Sequence, residues 1–408
     1  MNLLATSHGS DRYKSFSSSL AACSLAPWQI ALVRRYPLCL LRAHSVTSSR
    51  ISHELRVEPE HLQAVLIPAS LILVLSVMLT SFCNRYYHFI LAQGILPGLA
   101  CGMILTPVLS AAGQYFTTRR AWAMGIIVSG ASVGGVVFPL ALDRLLNRSS
   151  LGFGWTIRLM GFIILALLSS ACLLVKEHAP RRLEHRLSLE VLKNKPYVFA
   201  NVGFFLTLLG LWTPVFYIID YAVAQGMSLE MAFYEVSILN AASILGRTLP
   251  CYVGDRMGRY NMMVFMNASS GVLLLCWTLA QSTISITVFI WLYGFFSGAV
   301  NSLYAPCIAQ SKYANLHQAP FIRSSGDLML TFLRSVCPKS SDIGTYLGMG
   351  FCFCSFAGLA GTPICGALVK QSGYYLYASI FSGSMVLAGA GSNLVARLFL
   401  SREFRVVI

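Results

Sequence analysis

The sequence predicts an all-α polytopic membrane protein, and three observations carry that expectation. Of its 408 residues, 56% are hydrophobic and only 11% charged, against about 25% charged in an ordinary soluble domain. A chain so poor in charge cannot cover a soluble surface, whereas a bundle facing lipid needs charge only in its loops. Ten nearly uncharged runs occur, each near the length of about 20 residues that a bilayer core requires. All fifteen Asp and Glu residues lie outside those runs or at their ends, as the cost of a carboxylate in mid-membrane demands.

In chain order the runs cover 64–82, 86–111, 122–142, 155–175, 197–218, 234–253, 262–281, 285–308, 344–369 and 375–396. Asp143, Asp220 and Glu235 mark ends; Glu177, Glu184, Glu190, Asp255, Asp327 and Asp342 sit in connections. Two arginines fall within the limits, Arg158 near the start of the fourth run and Arg247 in the sixth.

Orientation follows from the Lys and Arg of the loops. Arg119 and Arg120, then Lys176, Arg181, Arg182, Arg186, Lys193 and Lys195, then Arg256 and Arg259, put their loops in the cytoplasm. The same alternation puts Lys312, Arg323, Arg334, Lys339, Arg402 and Arg405 inside, while Arg85, Arg144 and Arg148 are exceptions on the outer side. Asn147-Arg148-Ser149 there has the form of an N-glycosylation acceptor.

The charged stretch 176–196, bounded by Pro180 and Pro196, is the clearest internal boundary. The expected organisation is an atypical N-terminal segment at 1–62, an incomplete N-terminal bundle at 63–175, a cytoplasmic linker at 176–196, a six-helix C-terminal bundle at 197–399 and a cytoplasmic tail at 400–408. Two bundles rocking about a central site is the architecture of many secondary transporters.

Several classes are excluded. The net charge of +15 resides in loops, and no basic stripe alternates with aromatics, so no nucleic-acid partner is expected. The twelve cysteines contain no CxxC pair and read as small packing residues, so neither metal nor cofactor is expected. No GxxxxGK[ST] is present, which disfavours an ATP-driven pump. No paired carboxylates or Cys/His constellation falls within a span, so the chain is not expected to be an enzyme. The expected partners are the lipid bilayer and a small-molecule solute; oligomeric state is left open.

The stretch YFTTRRAWAMGIIVSGASVGG, from Tyr115 to Gly135, resembles one of the two signatures of the monocarboxylate transporter family, within the major facilitator superfamily. Tyr115, Phe116, Arg119, Arg120, Ala123, Gly125, Ser129 and Gly130 fall where its pattern has them, whereas Trp122 and Ile127 depart. GFGWTIRLMGFI from Gly152, GLWTPVFYIIDYA from Gly210, ILNAASILGRTLPCYVGDRMGRYN from Ile238, YGFFSGAVNSLYAP from Tyr293 and IGTYLGMGFCFCSFAGLAGTPICGAL from Ile343 look like helices of fungal members. The resemblance covers roughly 64–400 and implies that superfamily's helical bundle of two pseudo-repeated halves, about ten spans being seen of an expected twelve. Two departures stand out. The family's first two spans are not recognisable in 1–62, which reads as a targeting peptide or as an N-terminus replaced through a truncated or misassembled coding sequence. An extra stretch near 314–338, NLHQAPFIRSSGDLMLTFLRSVCPK, interrupts a connection that is short in relatives.

The resemblance also implies roles. Asp255, Arg256, Gly258 and Arg259 match the superfamily's cytoplasmic loop motif, in which an acid caps one helix and arginines grip the end of another, so they are read as gating residues together with Arg119 and Arg120. Arg247 matches an anion-binding arginine of the eighth family helix, but the aspartate that partners it in relatives is Ser243 here, so the residues present do not support proton symport. A guanidinium at that depth grips a carboxylate at two points, or else anchors its helix to water or Asp255. Asn240, Tyr217, Tyr221, Gln93 and Asn301 are further polar candidates for the path.

The expected function is secondary transport of a small organic solute by alternating access, a monocarboxylate or related organic acid, across the plasma membrane. The alternatives are efflux of a drug or secondary metabolite, against which stands the lack of a Gly-Pro pair in SGASVGGVVFP, and a non-transporting membrane sensor or degenerate transporter.

Overall fold

A computed structural model describes residues 61–116, 119–148, 152–175, 192–317 and 343–400. Segments 1–60, 176–191, 318–342 and 401–408 lie outside them, so the expectations for the N-terminal segment, most of the linker, most of the insertion and the tail fall beyond what is described. Among the described residues the regular structure is entirely helical.

The helices are α1 His61–Thr80, α2 Tyr86–Phe89, α3 Leu96–Tyr115, α4 Arg120–Arg148, α5 Gly152–Leu174, α6 Lys195–Leu211, α7 Thr213–Ala224, α8 Leu229–Met257, α9 Arg259–Leu275, α10 Thr283–His317, α11 Ile343–Ser372 and α12 Tyr375–Leu400. Every uncharged run read from the sequence falls on these elements. Among the described residues eight stretches are long and apolar enough to cross a membrane, with α6 and α7 together making one of them. The two others run differently: α8 carries Glu230, Glu235, Arg247, Asp255 and Arg256, and α9 has 17 residues.

Proline explains two breaks. Between α2 and α3 the chain runs through a π-helical turn, Ile90–Ile95, in which the Leu96 N–H reaches back five residues to the Leu91 carbonyl. Pro97 follows and has no N–H to continue the α-helical ladder. The run expected as one span at 197–218 is divided at Trp212, because Pro214 sits at the start of α7 and removes another such donor.

The chain divides into two compact units: Met1–Ala111 with Ile126–Arg181, and Ala112–Gly125 with Arg182–Ile408. In the first, α1 and α5 are antiparallel neighbours. Gln63 Nε2 donates to the Val175 carbonyl at 3.3 Å near one end, and Arg158 Nε donates to Ser81 Oγ at 3.2 Å near the other. The Arg158 guanidinium also lies 4.6 Å from the centre of the Phe82 ring and 5.0 Å from that of Trp155, a cation–π anchor at a helix end.

In the second unit α6 packs on α12 and α11, α12 on α9, and α8 on α10. Small residues set the last contact. A β-carbon on Gly246 would strike the Phe295 carbonyl, one on Gly294 the Leu239 carbonyl, and one on Gly298 the Ser243 hydroxyl. Backbones this close are the usual way helices associate in lipid, where burying apolar surface gives no drive between helices. Interior polar groups pair across helices: Asn267 Nδ2 donates to Thr207 Oγ1 at 2.7 Å, the Tyr304 hydroxyl donates to Asn201 Oδ1 at 2.7 Å, and Arg397 Nε donates to Asn261 Oδ1 at 2.6 Å. Arg397 is 1% exposed and sequence reading did not single it out.

Candidate functional site

On α8, Asn240, Ser243 and Arg247 recur at spacings of three and four residues and so share a face. Arg247 is 7% exposed, far inside a helix that starts at Leu229, and its Nε donates to Ser243 Oγ at 3.2 Å. The serine at the position of the family's acid thus accepts a hydrogen bond from the arginine without neutralising it. The Arg247 backbone carbonyl approaches Gly125 at the start of α4 so closely that a β-carbon there would collide with it and with Cys251.

The partner helix α10 runs parallel to α8. Leu239 meets Gly294, Ser243 meets Gly298 and Gly246 meets Phe295, so the two backbones approach closely along this stretch, and Asn301 lies further along α10. Asn240 Nδ2 donates to the Val236 carbonyl at 2.9 Å and Asn301 Nδ2 to the Ser297 carbonyl at 3.2 Å. Both are half-buried, and both amides bond within their own helices.

The other candidates lie elsewhere. The Tyr217 hydroxyl donates to the Thr362 carbonyl of α11 at 3.1 Å, entering space that a side chain at Gly366 would fill. Tyr221, 2% exposed, donates to the Ala280 carbonyl at 2.7 Å. Gln93 belongs to the first unit, half-buried in the π-helical turn. A cavity of about 690 Å³ opens in the second unit between α6 and α11, lined by residues that include Tyr197, Asn201, Thr345, Phe353 and Phe356. None of the sequence-derived candidates lines it.

At the far end of α8 the loop motif has a defined geometry. Asp255 accepts the backbone N–H of Ala121 at 3.2 Å and of Trp122 at 2.9 Å, two N–H groups of the first turn of α4 that no helical carbonyl serves. Arg259 meets the same carboxylate, with Nε and Nη2 each 2.9 Å from Oδ1. Gly258 makes the turn with φ at +97°, a left-handed conformation that a side chain would strain. Only Arg256 departs from the expected grip on another helix: it donates to the Tyr252 hydroxyl of its own helix, with its guanidinium 4.5 Å from that ring's centre, whereas Arg259 at the start of α9 holds Asp255 of α8. Arg120, 7% exposed, donates from Nε to the Phe116 carbonyl at 3.1 Å, while Arg119 is exposed. Asn147 lies on the last turn of α4, and its side chain is outside the described residues.

Sequence reading placed Glu235 at a span end. In the structure it lies in the second turn of α8 and is 1% exposed. Thr287 of α10 meets its carboxyl, and no local pattern announces that.

The profile described as Major Facilitator Superfamily matches residues 63–317. The chain is 39% identical over 79% of its length to the Aspyridones efflux protein of Emericella nidulans, of which it spans 61%. It is 39% identical over 81% of its length to the Agnestins efflux protein of Paecilomyces divaricatus, of which it spans 70%. Among solved structures it resembles the Escherichia coli fucose:proton symporter, with a TM-score of 0.59 and 16% identity over 83% of this chain and 84% of that one. These relatives replace the monocarboxylate family by a broader assignment: the chain is a multi-pass membrane protein that belongs to the Major Facilitator Superfamily.

Proposed function

We propose that the chain is a secondary transporter of a small organic solute, working by alternating access, and that the solute is a secondary metabolite moved outward. The observation that carries the site is Arg247, a buried guanidinium well inside a helix, with Ser243 as hydrogen-bond acceptor. A charge at such depth is costly and in membrane proteins marks a substrate or ion pathway. The direction is supported by the efflux names of two relatives 39% identical to this chain. The earlier objection from the missing Gly-Pro pair carries less weight than those relatives.

In this reading Arg247 meets an acidic group of the solute, with Asn240 on the same face of α8, while Asn301 and Tyr217 contribute from their own helices; Gln93 is a separate polar candidate of the first unit. That retains the organic-acid chemistry of the monocarboxylate-like resemblance without its substrate. Asp255, Arg256, Gly258, Arg259, Arg119 and Arg120 form a cytoplasmic latch. The division into an N-terminal bundle, a linker at 176–196 and a C-terminal bundle, and residence in the plasma membrane, belong to the same proposal.

The test is uptake of a labelled aromatic carboxylic acid by inside-out vesicles and proteoliposomes holding the full chain. Solute moving above the protein-free background, and less of it with Arg247→Ala, is expected. No movement of this or of neutral metabolite probes would overturn the reading.

A further inference from the structure

The cavity between α6 and α11, about 690 Å³, lies within the range of about 300–1,000 Å³ typical of small-molecule pockets, which are mostly apolar with a few polar groups. The two helices run parallel beside it, Tyr197 meeting Tyr346 and Phe205 meeting Phe353. Each wall is fixed from behind. The Tyr197 hydroxyl donates to the Tyr346 carbonyl at 2.9 Å, and the two rings meet edge to face with centres 5.1 Å apart. Asn201, 5% exposed, donates from Nδ2 to the Tyr197 carbonyl at 2.8 Å and accepts the Tyr304 hydroxyl on Oδ1 at 2.7 Å. Phe353 stacks on Phe205 with centres 4.8 Å apart. These side chains hold their places without a ligand, so binding does not bear the entropy cost of ordering them.

What the walls offer selects a chemical class. None of the described residues that line the cavity is charged, and the polar atoms of Tyr197 and Asn201 are turned to protein partners. A carboxylate or an ammonium placed there would lose water and find no opposite charge. Phe353 and Phe356, 44% and 64% exposed, present ring surface instead, which an aromatic guest meets by stacking or edge to face. One polar group is left over: Thr345, half-buried at the start of α11, has a hydroxyl that bonds to no described residue. It suits a single neutral hydroxyl or carbonyl on the guest.

We propose that this cavity is a second solute site, which takes the uncharged aromatic body of an exported compound. The proposal rests on the transport reading above and on its topology, which puts the ends where α6 and α11 begin at the cytoplasm, where an outward-bound solute is collected. Arg247 does not line the cavity, so the two sites read different properties, charge at Arg247 and aromatic surface here. A saturated lipid chain is the competing occupant.

The experiment irradiates tritiated benzophenone, a neutral aromatic photolabel, with the full chain in nanodiscs and maps the labelled peptides. Labelling should concentrate on 192–202 and 345–356, fall with excess 2-naphthol and persist with equal 1-decanol, an aliphatic alcohol of the same carbon number. Equal competition by the two alcohols would make the cavity a lipid groove and overturn the proposal, as would label spread evenly over all helices. Phe356→Ala, at an exposed side chain, should cut the cavity labelling by about threefold or more, and unchanged labelling would overturn recognition by the rings. In the vesicle assay with the labelled aromatic acid, Phe356→Ala should raise KM severalfold with the maximal rate kept within about twofold, the mark of lost binding alone. An unchanged KM would overturn the role in export. A wild type that moves no solute would overturn the transport reading and that role with it, while the photolabelling still decides the site. Should Phe356→Ala fail to fold, Phe353→Leu, which removes a ring at similar bulk, carries the same measurements.

Discussion

Asp255 accepts the Trp122 backbone N–H at 2.9 Å, so a carboxylate near the end of α8 caps the start of α4. The pairing joins residues far apart in sequence and is reinforced by Arg259. Removing the cap with Asp255→Ala should cost about 1–2 kcal/mol, read as a lower Tm in detergent. Asp255→Asn keeps one acceptor and should lose about half as much. A Tm unchanged in both variants would show that the cap contributes nothing to stability.

Arg247→Lys should reduce solute transport severalfold although charge is retained, because an ammonium cannot reproduce the planar two-point contact with a carboxylate. Arg247→Ala should reduce it at least as far. Uptake normalised to surface protein decides, and full activity in the lysine variant would remove Arg247 from the solute site. Ser243→Ala tests the serine alone: it deletes the hydrogen bond to Nε and should weaken transport by less than either arginine change.

The close approach of α8 and α10 predicts a sharp contrast between two glycines. Gly246→Ala drives a methyl into the Phe295 carbonyl and should destabilise by about 2 kcal/mol or more. Gly391→Ala places its methyl on α12 with nothing within 4 Å, and should be neutral or stabilise by up to about 1 kcal/mol. Thermal unfolding of the two variants in one detergent makes the comparison.

Loops 113–121, 176–196 and 254–260 are expected to face the cytoplasm and the Asn147 end of α4 the opposite side. A cysteine introduced by Arg182→Cys should resist impermeant thiol reagents in intact cells. Labelling of that cysteine from outside would invert the topology. Occupancy of the Asn147 acceptor, seen as a mobility shift removed by glycosidase, would support the same orientation independently.

Deleting 314–338, which takes the last turn of α10 with the polar stretch after it, should leave membrane expression and Tm unchanged or improved, since a longer connection adds chain entropy. Loss of the protein from the membrane on deletion would give that stretch a structural role.

How far the sequence reached is clear from particular residues. The helices beginning near His61, Lys195 and Tyr375 were legible because hydropathy over about 20 residues is a local property, and in lipid it fixes the helix by forcing backbone hydrogen bonds inside the segment. Asp255 was legible as a cap because its loop motif is contiguous, and Arg247 because a lone cation in an apolar run is conspicuous. The division at Trp212 was only half legible: Pro214 stands in the sequence, but whether a proline kinks a helix or splits it depends on its neighbours.

What tertiary structure alone decided concerns partners. Glu235 reads as a span end until Thr287 of α10 meets it, Arg397 reads as an ordinary last-turn cation until Asn261 meets it, and Arg256 turns to Tyr252 rather than to another helix. The sequence by itself determined which segments cross the bilayer, because that depends on the transfer free energy of each segment taken alone. Which polar groups are enclosed depends on the face each helix turns to its neighbours. At α8 and α10 that is set by small residues far apart in the chain, Gly246, Gly294 and Gly298, meeting at backbone distance.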